Sequence, residues 1–532
     1  MSSNASPSLS PFGPFDNRAF RTLWFVWLGA NLCMWMNDVA AAWIMTTLTT
    51  EPLMVALVQS ASTLPVLLFA VPSGALADIL DRRRFLFFTQ LWVAAVAVTL
   101  CLVTAAGRLT AELLLFFTFA NGFGLAMRWP TFAALIAELV PRAQLPVATA
   151  LGGVAMNLSR IFGPLVAGGV LAAFGGIYVF VLNAALSLAA ALAILFWRRE
   201  RTTGSLPREG YLRAIRVGWQ HVRESPRMRA VLGRVAAFSF SSIALIALLP
   251  LLAKEDYGGG AWTFSLLMAA MGGGAITAAL LLPRVRQRMG REAVVGVGVL
   301  MHAGATAGAV FASEVYLALP ALFVAGMGWL SVANALNVSA HYALPDWIRA
   351  RGIAFYQMTM MGGGALGAAC WGYVAGAFSL TVSLSAAASV AVIGWLATHR
   401  LPIEGEPEEG PLMPAVWTAP QAAIPLDHHS GPVQVSVEYR IDPARAADFC
   451  AVMRESRRIW LQNGIRSWAL YRDVGDPGRF FEQFGDASWG DYLRRNERIT
   501  ASHVALKQQK RSFHVAGTPP VVTRCVAQSV GR

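Results

Sequence analysis

Apolar residues run along this chain in long blocks, broken by short polar stretches. The blocks fall at 20–48, 53–77, 84–106, 110–137, 144–173 and 177–197, and resume at 230–252, 261–283, 292–313, 315–343, 352–378 and 380–399. Crossing about 30 Å of hydrocarbon takes about 20 residues of helix. In lipid a helix satisfies its backbone polar groups within one segment. The pattern therefore predicts an all-α membrane part of twelve transmembrane helices, as two six-helix bundles over 18–197 and 230–400 joined by a cytoplasmic loop over 198–229. Residues 1–17 are polar and Pro/Ser-rich, read as a disordered lead, and lack the basic, apolar and small-residue regions of a secretory signal.

Beyond 400 the periodicity shortens. Residues 401–430 are acidic and Pro-rich and read as a linker. Within 431–532, "VQVSVEYRI" alternates as a strand does, and a helix opens at Asp442 as N-cap and stops at Gly464. "SWALYRDV" and "GRFFEQFGDA" read as two strands joined by an Asp-Pro-Gly turn. A helical stretch at 488–513 and a last strand, "PVVTRCVAQ", complete a small cytoplasmic α+β domain of β-α-β-β-α-β order.

Composition agrees with the block pattern. The chain of 532 residues is 56% hydrophobic and 14% charged, where soluble domains carry about 25% charged residues. A net charge of +13 would suggest nucleic acid in a soluble protein, but here the arginines sit in short loops. One side collects Arg82, Arg83, Arg84, Arg142, the cluster from Arg198 to Arg227, Arg284, Arg286, Arg288, Arg291, Arg349 and Arg351. The other side has Arg108 and Lys254 among Glu51, Glu112, Glu255, Asp256 and Glu314. The positive-inside rule places the first side, with both termini, in the cytoplasm. The five cysteines are scattered and give neither a disulfide framework nor a metal site. No Walker sequence for ATP is present, and no cofactor is expected.

The two sets of six blocks share landmarks. Pro141 is followed at equal offsets by Gly163 and Gly168, as Pro345 is by Gly367 and Gly372. The basic loop "DRRR" likewise has a counterpart in "PRVRQRMGR". A duplicated six-helix unit follows.

Within this frame "GALADILDRRR" (Gly74 to Arg84) resembles the loop 2–3 signature of the major facilitator superfamily, matching at Gly74, Asp78, Arg82 and Arg83 and departing at Ile79 and Asp81. The resemblance implies a gating role for Asp78, Arg82 and Arg83. Read by themselves, the arginines are topogenic charges. "NLSRIFGPLVAGG" is similar to the fifth-helix Gly-Pro motif of superfamily antiporters, in which Gly163, Pro164 and Gly168 would bend and pack the helix. "ELVPRAQLPVATAL", "YALPDWIRARGIAFYQM", the central loop and the tail resemble the transmembrane secretion effector branch, related to the enterobactin exporter. This implies a multi-pass protein of the bacterial inner membrane. It further implies a secondary active transporter that is no enzyme, exporting a small organic molecule such as a siderophore or drug-like compound in exchange for protons. A proton-driven importer, or a membrane-anchored sensor or enzyme working through the tail, are the alternatives.

Ionisable residues inside the membrane cost about 2.5–3.5 kcal/mol on insertion scales. Asp38, in "MWMNDVAAAW", reads as a cavity carboxylate for a proton or cation, or as a shallow interfacial residue. Arg160 reads as its counter-charge or as a structural brace, and Arg128 as cavity-facing or at the cytoplasmic boundary. Asn334, Asn337 and His341 share one helix face that would line a cavity, whereas His302 and Gln357 suit helix–helix hydrogen bonds. Trp24, Trp27, Trp35 and Trp43 read as interface or packing residues. The tail is similar to ferredoxin-like, dimeric α+β barrels related to antibiotic-biosynthesis monooxygenases. That implies dimerisation or ligand sensing, with His503 and Trp468 in a pocket or in the core.

Overall fold

The computed structural model describes residues 12–141, 144–196, 211–345, 347–405, 423–496, 500–515 and 517–528. The arginines at 142 and 198–208 and most of the 401–430 linker lie outside them. Helices follow the apolar blocks: α1 Arg18–Leu48, α2 Pro52–Ile79, α3 Arg82–Ala105, α4 Ala111–Leu139, α5 Leu145–Ala173 and α6 Gly176–Phe196. A polar helix, α7 Tyr211–Glu224, precedes α8 Pro226–Leu251, α9 Ala261–Arg286, α10 Arg291–Val310, α11 Val315–Tyr342, α12 Arg349–Ala377 and α13 Leu380–Thr398.

Among the described residues, nine of these meet both the length and the apolarity of a membrane crossing. The long helices that fall short are α1, α4 and α12, of 31, 29 and 29 residues. Each is long enough, at roughly 45 Å, but α1 carries Asn31, Asn37 and Asp38, α4 carries Asn121 and Arg128, and α12 carries Gln357 and repeated glycines. Helices facing a polar interior lose apolarity in this way.

Helix starts are fixed by short polar side chains. A 3-10 turn over Gly13–Asp16 leads to Asn17, whose Oδ1 accepts from the Ala19 amide at 2.9 Å while its Nδ2 donates to the Leu139 carbonyl at 2.7 Å. The expected disordered lead thus ends in an ordered cap tying α1 to the end of α4. Asp81 caps α3 by accepting from the Arg84 amide at 3.0 Å. An acid stands where the superfamily signature has glycine because it satisfies orphan amides at a helix start.

Among the described residues, two apolar cores hold the membrane helices together. One joins both halves at the end of the loops following α1, α5 and α8, and includes Met36, Met45, Val55, Leu171, Leu248, Phe264, Leu322 and Trp371. At the opposite end Phe20, Leu86, Phe132, Leu135, Ala148 and Ile194 form a separate core drawn from the N-terminal half alone.

A second compact unit comprises Leu206–Val231, Val338–Phe355 and Pro402–Arg532. Its sheet has β1 Val433–Arg440 between β3 Arg479–Asp486 and β4 Val521–Val526, with β2 Ser467–Arg472 outside β3, all antiparallel. Helices α14 Ala446–Gln462, α15 Trp489–Asn496 and α16 Ala501–Arg511 complete the β-α-β-β-α-β order. Along β3, Phe480, Glu482 and Phe484 all point into the core, so a carboxylate takes a place that alternation assigns to an apolar residue.

Glu482 is 0% exposed. It accepts from Ser456 Oγ at 2.7 Å, Lys510 Nζ at 2.9 Å, Trp468 Nε1 at 3.1 Å and Tyr439 hydroxyl at 3.2 Å. Burial alone would push its carboxyl up, but the Lys510 ammonium and these donors outweigh it and hold it below the usual range. Beside it Arg495 and Asp486 form a buried pair at 2.9 Å under Trp460. His503 is pushed down to about 4 by burial and by Arg495 and Lys510. Its Nε2 lies 2.6 Å from Asn463 Nδ2.

In the same unit α7 holds the end of α14. Gln220 Nε2 donates to the Ile465 carbonyl at 2.9 Å, Gln462 Nε2 donates to the Glu224 carbonyl at 2.9 Å, and His221 Nδ1 lies 3.0 Å from the Gln462 carbonyl. Gly464, at φ +88°, brings its backbone onto Val217. α7 also meets Trp347, which follows α11, and Arg351 and Phe355 in the first turns of α12.

Breaking a buried pair leaves one charge uncompensated, at a cost of about 3–5 kcal/mol. Lys510→Met should therefore open the tail, seen as faster amide exchange in β1 and β3 of the intact chain, and Lys510→Met/Glu482→Leu should recover most of the protection. Acid should act similarly. The stability from Glu482 is fully present above its unfolded pKa and is lost as pH falls through its lowered folded value, and that from the neutral His503 is lost between 6.5 and about 4. Protection factors of the tail amides, corrected for the intrinsic exchange rate at each pH, should fall from pH 7 to 4, and His503→Gln should flatten the upper part of that curve.

Candidate functional site

The interior of the membrane part is set by how closely its helices approach. A Cβ on Gly163 of α5 would lie 2.5 Å from the Trp35 Cβ of α1, within the N-terminal half. A Cβ on Gly168 would lie 2.1 Å from Ser265 Oγ and 2.2 Å from its Cβ, on α9 of the other half. The second copy repeats both contacts. Gly367 of α12 meets the Phe240 carbonyl of α8 at 2.1 Å, within the C-terminal half, and Gly372 meets Ala56 Cβ of α2 at 2.5 Å, across the halves. Each pair has one glycine for its own bundle and one for the opposite bundle, so the equal spacings in sequence correspond to equivalent contacts in space. Pro164, inside α5, removes the amide that the Arg160 carbonyl would otherwise accept from.

Arg160 lies one turn before Gly163. Its guanidinium sits over the Trp329 ring of α11 at 4.1 Å and faces Trp35 of α1 at 5.7 Å, so both halves contribute to its surroundings. Among the described residues it has no carboxylate partner, and Asp38 likewise has no cation. Both are half-buried. The expected Asp38–Arg160 pair is therefore not formed in this conformation. Trp35, read from sequence as an interface or packing residue, is part of the surroundings of Arg160, and its Nε1 is buried with no hydrogen-bond partner among the described residues. Trp329 had no signal in the sequence, because its relation to Arg160 spans two helices of different halves.

Arg128 is 4% exposed, over Trp27 at 5.6 Å, with Nε and Nη2 unsatisfied. It is enclosed by side chains of the N-terminal half. Nearby, Asn183 Nδ2 lies 3.4 Å from Asn37 Oδ1, and Ser187 Oγ donates to Asn183 Oδ1 at 3.2 Å.

The second-half stripe divides. Arg286 donates to Asn334 Oδ1, which ties that amide to the end of α9. Asn337 and His341 are half-buried without a hydrogen bond among the described residues, and His341 lies near the charge of Arg349. His302 Nδ1 lies 3.1 Å from the Ala325 carbonyl, a helix–helix contact as expected.

In the basic loop, Arg83 donates to the Ile194 carbonyl at 3.1 Å and to the Leu195 carbonyl, at the end of α6 of its own half. Gly74 continues α2 as helix, and the side chain of Asp78 lies outside the described residues. Arg82 is half-buried beside Asp81 at the start of α3.

A family model for transmembrane secretion effectors matches residues 9–531. The chain belongs to this family of the major facilitator superfamily. It is 28% identical over 180 residues to the uncharacterized MFS-type transporter YfiS of Bacillus subtilis, covering 33% of this chain and 42% of that protein. It is 23% identical over 257 residues to the staphyloferrin A transporter of Staphylococcus aureus, covering 48% and 64%. The chain thus spans less than two thirds of either relative. Its fold matches a bacterial homolog of the human lysosomal transporter Spinster at TM-score 0.57 and 16% identity, covering 73% of this chain and 93% of that one. It also matches a variant of the nucleoside transporter NupG at TM-score 0.61 and 13% identity, covering 72% and 99%. These relatives and neighbours are described as transporters, and the chain shares the family of the secretion effectors and the fold of the solved structures.

The glycine contacts are directly testable. Gly168→Ala should lower the thermal stability of the detergent-purified protein by about 1–3 kcal/mol through overpacking, because Ser265 Cβ cannot rotate away. Adding Ser265→Gly should restore it. Gly169→Ala, with open space around it, should leave stability equal or raise it by up to about 1 kcal/mol.

Proposed function

We propose that this transporter exports a small organic molecule in exchange for protons, by alternating access between its two halves. The observation that carries the reading is the position of Asp38. It is half-buried in α1 with no cation partner among the described residues, close in sequence to Met36 and Met45 of the core the two halves share. A half-buried carboxylate without a cation is suited to take up and release a proton as its surroundings change. The shared core and the glycine contacts at Gly168 and Gly372 close one end of the interface, while the N-terminal half keeps a separate core at the other.

The excess of arginine on the side of the termini supports placing both termini, α7 and the tail in the cytoplasm, so that the closed end faces outward. The family's description as secretion effectors supports export, and a bacterial inner membrane is the setting we infer. The staphyloferrin A transporter supports an organic cargo of comparable kind. A second reading gives the tail a regulatory part. It is favoured by the hydrogen bonds that fix α14 to α7, and leaves dimerisation through the sheet domain as a further role.

The test is efflux from inverted vesicles under an imposed pH gradient. Asp38→Asn should reduce gradient-driven efflux to the level of vesicles without the protein while expression and counterflow exchange persist. Unchanged efflux would remove Asp38 from coupling. A chain ending at residue 430 should still transport; its loss of transport would make the tail essential.

A further inference from the structure

The interior of the membrane part carries more positive than negative charge among its described side chains. Asp38 stands against Arg128 and Arg160, and neither arginine meets an acid. They differ in setting. Arg128 is sealed at 4% exposure within one half. Arg160 is half-buried and lies where α1, α5 and α11 of both halves converge.

An aromatic ring over the face of a guanidinium attracts it, yet leaves in-plane N–H donors free to bind an acceptor. Trp329 at 4.1 Å occupies such a position for Arg160. The second donor is the indole N–H of Trp35, buried, beside the same guanidinium, and without an acceptor among the described residues. Buried donors normally find partners. Here the buried indole N–H lacks one, and the half-buried Arg160 guanidinium beside it forms no hydrogen bond among the described residues. The complement of that set is an oxyanion able to accept two parallel hydrogen bonds, and among organic groups a carboxylate has that geometry.

We propose that Arg160, with Trp35 and Trp329, forms the subsite for a carboxylate of the transported molecule, which makes the cargo an organic anion. The inference rests on the transporter reading above and deepens it. Because Trp35 and Trp329 come from different halves, the subsite is complete only while the halves are arranged as here, and rocking them separates Trp329 from Arg160. Export suits such a cargo. An anion leaving an interior-negative cell gains about 2.3 kcal/mol per charge for each 100 mV.

The test is equilibrium binding to the detergent-purified full chain, read by tryptophan fluorescence, with three matched probes: 1-naphthoate, neutral 1-naphthamide and cationic 1-naphthylmethylammonium. Naphthoate should bind the parent about ten- to a hundredfold more tightly than the amide, as expected of charge-assisted hydrogen bonds. Arg160→Gln should abolish that preference at unchanged melting temperature, leaving amide binding as in the parent. Arg160→Lys, which keeps the charge but loses the fork, should retain a reduced preference. Absence of a naphthoate preference in the parent, or its survival in Arg160→Gln, overturns the proposal. Equal loss of all three probes in Arg160→Gln would make Arg160 a structural brace and also overturn it. No gradient enters this measurement, so an Asp38→Asn result against proton coupling would leave the subsite standing, and the reverse holds as well.

Discussion

Close approach of helix backbones at four glycines is the contact on which the arrangement of the two halves depends. Lipid tails are as apolar as leucine, so helices in a bilayer gain no hydrophobic drive to associate and rely on dense packing across small residues. Gly163 and Gly367 allow α5 and α12 to lie against α1 and α8 inside their own halves. One turn and a little further, Gly168 and Gly372 let the same two helices touch the opposite half. One helix in each copy thus carries both the internal contact and the contact between copies. A rocking of the halves therefore has to make and break backbone packing at two equivalent places, with no side chain to re-rotamerise on the glycine side.

The charges divide by whether they meet the end of a helix. Arg83 reaches the last carbonyls of α6, and Arg234 of α8 reaches the Thr398 and Leu401 carbonyls at the end of α13 while pairing with Glu292. The two halves use the same device, a cation on the unpaired carbonyls and negative dipole end of their last helix. These arginines cap helix ends within their own halves. Arg128 and Arg160 lie away from helix ends. Among the described residues their charge is met by aromatic faces.

The helices were legible because each block of apolar residues is long enough to need a membrane, and the duplicated unit because proline and glycine recur at equal offsets. The tail was legible from period-two alternation and turn residues. What sequence could not supply was pairing across helices. Asp38 and Arg160 were natural partners on charge alone, yet α1 presents Trp35 to Arg160 instead. Asn334 looked like a cavity residue by spacing, and a hydrogen bond from Arg286 on a different helix gives it a fixed partner. Glu482 broke the alternation of β3 visibly, between Phe480 and Phe484, but Lys510 and Ser456, its partners, lie on helices with no pattern linking them to the strand.

The tail also shows why buried charge has different consequences in the two parts of the chain. Around Glu482 every oxygen is met by protein donors, so the network is complete and its effect is to fix one packing of sheet and helices. Around Arg160 the donors outnumber the acceptors, so the network is open. A closed network gives nothing to a ligand, because binding would have to displace partners already made. An open one in a transporter is stabilised by whatever cargo supplies the missing acceptor, and destabilised again when the halves part and one wall of the subsite withdraws. Release on the far side then needs no separate device: the geometry that completes the site in one arrangement dismantles it in the other.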